Sequence, residues 1–413
     1  SNAQNTVGLL SLNPDKVQEG YTLIYPHRQP NTYLMNNCGE VVHMWTDTAD
    51  VVPGNTAYLL ENGDLIKTNR PSSVAGNPIW AGGGGATIEW RDWDNNLKWT
   101  YTLNDSLARL HHDIEPMPNG NILAIAWELK TRDEAIAAGR DTNLLNQEVL
   151  WPDYIIEIEP IGLDSFNIVW EWHAFEHLIQ DFDSTKANYG NVNENYRKID
   201  LNFDTNNGAS DWLHANSIDY HAGLDQILLS VPQFHEFWII DHSITTDQAR
   251  GEAGDLLCRW GNPGNTYDAA VTNEPPFGQS NFYQHDVRWL DYLSEDNPNY
   301  NKISLFNNRV GEDYSTVNIL SPIYNFGSNT YQFDGNTFLP SEFDFRYQRP
   351  DSTAMHSTGL SSFQILENGN MLICVGRFGY IFEIDENQEI VWEYKTPLAI
   401  TGMPANQGDS LGI

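Results

Sequence analysis

Val391-Trp392-Glu393-Tyr394 closes a strand-like run near the C-terminus, and its pattern, an extended segment ending in aromatics, returns along the whole chain. It stands again at Val42-His43-Met44-Trp45, Lys98-Trp99-Thr100-Tyr101, Val169-Trp170-Glu171-Trp172, Cys258-Arg259-Trp260 and Phe345-Arg346-Tyr347. A second element, strand, tight turn, strand, recurs beside it: Leu60-Glu61-Asn62-Gly63-Asp64-Leu65, Met117-Pro118-Asn119-Gly120-Asn121-Ile122-Leu123 and Leu366-Glu367-Asn368-Gly369-Asn370-Met371-Leu372. Asn-Gly readily takes the positive φ that closes a two-residue hairpin, so each is a hairpin signal with a physical cause. Repetition over the full length predicts stacked copies of one unit. Six of them predict an all-β, six-bladed β-propeller, with the aromatic of each unit wedged between neighbouring blades. A β-sandwich array does not explain why the repeat spans the chain.

The units are unevenly spaced because of inserts at residues 131–151, 180–210, 262–282 and 310–341, rich in Asn, Asp, Gly and Pro as loops are. Helical spacing is confined to residues 131–138 and 173–180. No linker divides the chain. The expected organisation is one propeller over residues 20–413, with long inter-blade loops. Residues 1–19 form an N-terminal extension along its outside, and Ser1-Asn2-Ala3 reads as a remnant of recombinant expression.

Composition narrows the function. The 14 Trp, 19 Tyr and 17 Phe support a large packed core rather than disorder. No apolar run approaches the roughly 20 residues of a membrane span. With 22 basic against 56 acidic side chains the net charge is −34. That argues against nucleic acid, whose binding needs basic surface. An anionic ligand would need a local cluster of positive donors to overcome the global field. Cys38, Cys258 and Cys374 are too few and too scattered for a disulfide framework or a zinc site, and free buried thiols are the default.

The chemistry is sought in four histidines, set one per repeat: His112, His214, His285 and His356. In a propeller the innermost strands line a central channel, and residues at their starts gather at one mouth. Imidazole alone can attack, donate or accept near neutral pH without a shifted pKa. Asp113 and Asp286 follow two of the histidines and are read as orienting them or capping turns. Asn216, two residues after His214, shares its strand face and is placed to donate to an oxyanion. Trp127 and Trp212 are candidates to stack an aromatic ligand. The acidic chain should raise the histidine pKa values. Converging histidines also suit a metal, although no His-Glu-x-x-His motif or Cys/His pair occurs. Gly82-Gly83-Gly84-Gly85 lacks the Lys and the following helix of a phosphate loop.

These segments together resemble the arylsulfate sulfotransferase family, which moves a sulfuryl group between phenols without a nucleotide donor. The resemblance runs through Gly39-Glu40-Val41-Val42-His43-Met44-Trp45, His111-His112-Asp113, Asp211-Trp212-Leu213-His214-Ala215-Asn216-Ser217, Trp238-Ile239-Ile240-Asp241-His242-Ser243, Arg259-Trp260-Gly261-Asn262-Pro263 and Gln284-His285-Asp286. It implies an exported protein, secreted or periplasmic, and a ping-pong reaction through a sulfated histidine. A phenolic sulfate is the donor, a phenol the acceptor, and neither cofactor nor metal is required. By position His285 is the nucleophile, His112, His214 and Asn216 surround the sulfuryl oxygens, and His356 holds the corresponding place in the last blade. One departure matters: Pro232 stands where the family carries an arginine, leaving Lys130, Arg288 and Arg377 as replacement cations. The rival readings are a noncatalytic propeller binding a ligand or glycan, and a metal-dependent propeller oxidoreductase or lyase.

Overall fold

The computed structural model describes residues 5–71, 77–271 and 278–409. Six antiparallel sheets follow one another along the chain as the blades of a β-propeller. The first has three strands, Tyr21–Ile24, Thr32–Asn36 and Val41–Trp45. The second runs from Val51–Leu59 to Leu97–Thr102, and the third from Ala108–Pro116 to Ser165–His173. The fourth spans Ser217–His221 to Cys258–Trp260, the fifth His285–Trp289 to Phe345–Tyr347, and the sixth Ser362–Ile365 to Ile390–Lys395. Gly8–Leu12 pairs antiparallel with Ile390–Lys395 as a fifth, outermost strand of the last blade.

Every aromatic signature lies on the last strand of its own blade, and its ring reaches the next. The buried indole of Trp45 donates to Asp92 O of the second blade, Trp99 to Ser165 O of the third, and Trp170 to Ile244 O beyond the fourth blade's third strand. Trp260 donates to Pro340 O, and Trp392 to Asn37 O, which joins the sixth blade to the first. Each indole thus buries a large apolar face between sheets and satisfies its N–H on the neighbour. The Asn-Gly turns close the inner hairpins of the second, third and sixth blades. Of the two expected helices, Arg132–Ala137 forms behind a Thr131–Glu134 capping box. Residues 173–180 do not make a helix. They form a single 3-10 turn, Ala174–Glu176, and then the strand Leu178–Ile179, because His177 is held by Asp255 and stacks on Trp172.

The innermost strands of three blades are broken by bulges. Gly54, Asn55 and Thr56 face one residue of the partner strand; so do His111, His112 and Asp113; Asp286 and Val287 do the same in the fifth blade. His112 and Asp286 sit at φ 50 and 52, in the left-handed region. A bulge of this kind re-aims side chains that strict alternation would point elsewhere. It sends Asp113 and Asp286 into the channel, where both bind Arg288: Nη2 reaches Asp113 Oδ2 at 2.7 Å and Nε reaches Asp286 Oδ1 at 2.9 Å. Arg288 also donates to Tyr58 Oη (2.5 Å) and Ile218 O (2.7 Å), and lies 3.4 Å from Glu115. Asp113 accepts from Ile218 N, Asp219 from Trp289 N and Asp286 from Phe363 N, so inner strands of neighbouring blades are laced together. The two aspartates therefore neither orient the histidines beside them nor cap turns.

Burial outweighs Arg288 for several of these acids, raising Asp113 and Glu115 and pushing Asp219 up to about 6. Carboxyl groups raised in the folded state stabilise it below their unfolded pKa, and that contribution is lost as pH climbs through the raised values. Removing the guanidinium should make their ionisation costlier still. Arg288→Met is expected to lose about 3–5 kcal/mol at pH 8 and clearly less at pH 5. Urea denaturation at the two pH values measures this, and an equal loss at both would contradict the role assigned to the arginine.

Candidate active site

The kinks that send the aspartates to the channel leave His112 and His285 at its mouth, and His214 joins them from the segment before the fourth blade. His112 comes from the third blade's inner strand, His214 from the segment entering the fourth, and His285 from the first residue of the fifth. The rings of His112 and His214 meet edge to face, 4.5 Å between centroids. His285 is electrostatically coupled to both: a charge on it would lower the pKa of His112, and a charge on His214 lowers its own.

Each ring is oriented through Nδ1. In His285, Nδ1 is 2.7 Å from Asn308 Oδ1 and 3.2 Å from Tyr283 O. The Asn308 amide is itself fixed, because Nδ2 donates to Ser357 O (2.9 Å) and Leu360 O (3.0 Å). Both neighbours of Nδ1 are therefore acceptors, the proton sits on Nδ1, and Nε2 presents a lone pair. Burial, first, and the His214 charge lower His285 to about 4, so it is neutral at pH 7. His214 is the opposite case. Burial depresses it, but Asp211, bonded to its Nδ1, and Asp153 more than compensate, and the net shift is upward. His112 is pushed well down by burial and by its histidine neighbours. Its Nδ1 lies 2.9 Å from Nδ1 of His111, whose Nε2 lies 2.6 Å from Asp153 Oδ1. A line of three groups thus runs from the mouth to a fully buried carboxyl. The acidic chain raises only His214 of these three, because desolvation decides the other two. Among the described residues no Nε2 of the three rings has a protein partner.

The other expected site residues are placed as follows. His356 ends the one-turn helix Ser352–Met355 before the sixth blade; its ring touches none of the other three, and its buried Nδ1 has no partner. Asn216 spends an amide hydrogen on Gln284 O at 2.8 Å, tying the fourth blade to the residue before His285. Trp127 and Trp212 are fully buried: the first stacks on His111 at 3.9 Å and the second packs on Phe234, so neither offers a face to a ligand. Of the aromatics in contact with this region, Trp80 is exposed and Tyr283 is half-buried.

Among the cations, Lys130 is bonded to Glu128 and Arg288 is engaged in the channel. Arg377 is exposed, forms no ion pair among the described residues, and its charge reaches His285. It stands in the 3-10 turn Gly376–Phe378 after the sixth blade's second strand, the counterpart of Pro232–Phe234 in the fourth, each turn ending in a left-handed residue. Arg377 thus stands on the turn that matches the one at Pro232, two blades on. Sequence reading passed over Arg309, which lies over Tyr283 at 4.1 Å and whose charge reaches His214. It also passed over Asn308, Asp153 and Asp211, and ranked His111 below the four histidines. Asp211, three residues before His214, was readable as an Asp-x-x-His pair.

Nor is the glycine run idle. Gly83 accepts from His112 N at 2.8 Å, and a Cβ on it would stand 2.0 Å from that imidazole. Among the described residues no group of three or more His, Cys, Asp or Glu side chains is placed to hold one metal ion.

Residues 30–406 match the arylsulfotransferase (ASST) family. The chain belongs to the arylsulfotransferase family. Its substrates are accordingly small phenolic compounds, and no helix among the described residues is long and apolar enough to cross a membrane. No curated protein matches the chain. Similar solved structures include a protein of unknown function from Bacteroides caccae (11% identity, 92% of this chain and 94% of that one, TM-score 0.48). Others are the virginiamycin B lyase of Staphylococcus aureus (11%, 95% and 89%, 0.38) and the periplasmic gluconolactonase PpgL of Pseudomonas aeruginosa (11%, 96% and 97%, 0.40). None bears on what this arylsulfotransferase-family chain does.

Gly83→Ala should push the His112 ring aside and add strain at φ 81, whereas a Cβ on Gly82 meets nothing within 4 Å. Imidazole ¹⁵N spectra are expected to shift for His111 and His112 in Gly83→Ala and to stay unchanged in Gly82→Ala.

Proposed function

We propose that the protein transfers a sulfuryl group from a phenolic sulfate ester to a phenolic acceptor by a ping-pong route through sulfated His285, with no nucleotide sulfate donor. The observation that carries this reading is the forced tautomer of His285: with Nδ1–H given to Asn308, the free Nε2 is a neutral nucleophile. Nε2 attacks sulfur in line, the S–O bond to the ring breaks, and its electron pair goes to the phenolate oxygen. His214, whose pKa Asp211 raises, gives its proton to that oxygen, and phenol leaves. In the second half an acceptor phenol returns a proton to His214 while its oxygen takes the sulfuryl group, and the N–S pair reverts to His285.

Charge spreads over the equatorial oxygens in such transfers, so catalysis rests on positioned cations and donors. Arg377 and Arg309 supply the cations, and His112 faces the same oxygens, its proton inventory buffered by His111 and Asp153. His356 and Asn216 take no step in this scheme; Asn216 ties the fourth blade to the residue before His285, and Ser357, next to His356, holds the Asn308 amide. The same reading puts the enzyme outside the cytoplasm, secreted or periplasmic.

His285→Asn should abolish sulfate exchange between an aryl sulfate and a phenol, without added metal, and remove the acid-labile sulfuryl adduct that mass spectrometry finds on the wild type. Exchange surviving that change removes His285 as nucleophile. Because His285 must be neutral and His214 charged, activity should rise through about pH 4 and fall again only above 6.5, on the alkaline side of the raised His214 value. Arg377→Met should cost about 10²–10³-fold in kcat, with little change in the pH limits.

A further inference from the structure

Beside the histidines the mouth carries more positive charge than one sulfate monoester uses. Trp80 is 48% exposed, and the guanidinium groups of Arg70 and Arg109 both lie 4.5 Å from its ring centroid. The glycine run joins this unit to the site. A Cβ on Gly84 would meet the Trp80 ring at 2.6 Å, as one on Gly83 would meet His112. Arg109 is buried and donates Nε to Gly85 O (2.8 Å) and Nη1 to Ile79 O (3.2 Å), but its Nη2 is buried with no partner. Arg70 makes one long contact, Nη1 to Gly84 O at 3.3 Å. Neither arginine pairs with a carboxylate among the described residues, in a chain with 56 acidic side chains to draw on. Burial and the Arg70 charge lower Arg109 to about 10, and Arg70, Arg28 and Arg377 together lower His27 after desolvation by the surrounding chain.

Two neighbouring guanidiniums without counter-ions, one with a donor left unused, cost free energy that an anion would recover. Repulsion by the overall charge of −34 makes such a local cluster the more necessary for a ligand bearing more than one negative group. We propose that Arg70 and Arg109, flanking Trp80, form a second anion subsite beside His112, and that the preferred substrates are aryl sulfates whose ring carries a further anionic group. Trp80 supplies an exposed aromatic edge for that ring. The substrate class rests on the sulfuryl-transfer reading above; the subsite itself does not.

The test therefore uses probes that cannot transfer. Benzenesulfonate presents one anion, and 3-sulfobenzoate and 4-sulfobenzoate present two on the same ring. Titration calorimetry on the full chain should show at least one sulfobenzoate binding about tenfold more tightly than benzenesulfonate, the 1.4 kcal/mol of a single added charge-assisted contact. Arg70→Gln should cancel that advantage, and Arg70→Lys should keep part of it, with melting temperatures near the wild type. Equal binding of all three probes, no binding by any of them, or an advantage that survives Arg70→Gln overturns the subsite. Sulfate exchange with a neutral-ring ester such as phenyl sulfate is indifferent to all three outcomes, and its loss in the wild type would count against the transferase alone.

Discussion

One guanidinium in the channel holds the mouth in shape. Arg288 binds the aspartate that follows His112 and the aspartate that follows His285, and it reaches Tyr58 and Ile218 on two further blades. A propeller has no continuous apolar core along its axis, because the inner strands face one another across a channel. Here the gap is filled by a charged cluster in which the acids outnumber the cation, and burial raises the pKa of several of them. Each kink that turns an aspartate down to Arg288 turns a histidine up to the mouth. Backbone strain at His112 and Asp286 persists because the surrounding network fixes it.

Above that cluster, burial and partner choice give three chemically identical side chains three different states. His285 is neutral with a fixed tautomer, His214 is driven towards its charged form, and His112 is linked through His111 to a buried carboxyl. Separating the protonation states of neighbouring groups is how a site obtains a nucleophile and an acid at one pH. Arg309 and Arg377 at the rim, exposed and without an ion pair among the described residues, add positive charge there on a strongly negative molecule.

The blade plan was legible because its signals are local chemistry. An aromatic at each outer strand and an Asn-Gly at inner hairpins survive any spacing of the inserts between them. His112, His214 and His285 were legible through that repeat. What escaped were contacts between residues far apart in sequence: Asp153 with His111, Asn308 with His285, Arg309 over Tyr283. Trp127 looked available from sequence because nothing local says that His111 covers it. The glycine run was legible as an oddity, but its purpose depends on which ring the fold brings against it. Pro232 illustrates the same limit: the correspondence between its turn and the one that carries Arg377 is visible only in the fold.

The protonation state of His285 is the central claim, and imidazole ¹⁵N NMR of the resting protein at pH 7 reads it directly. The account predicts a neutral ring with its proton on Nδ1, beside a His214 that titrates at higher pH than His285. A His285 ring that is charged, or protonated on Nε2, would contradict it, since the atom assigned to attack sulfur would have no lone pair to offer.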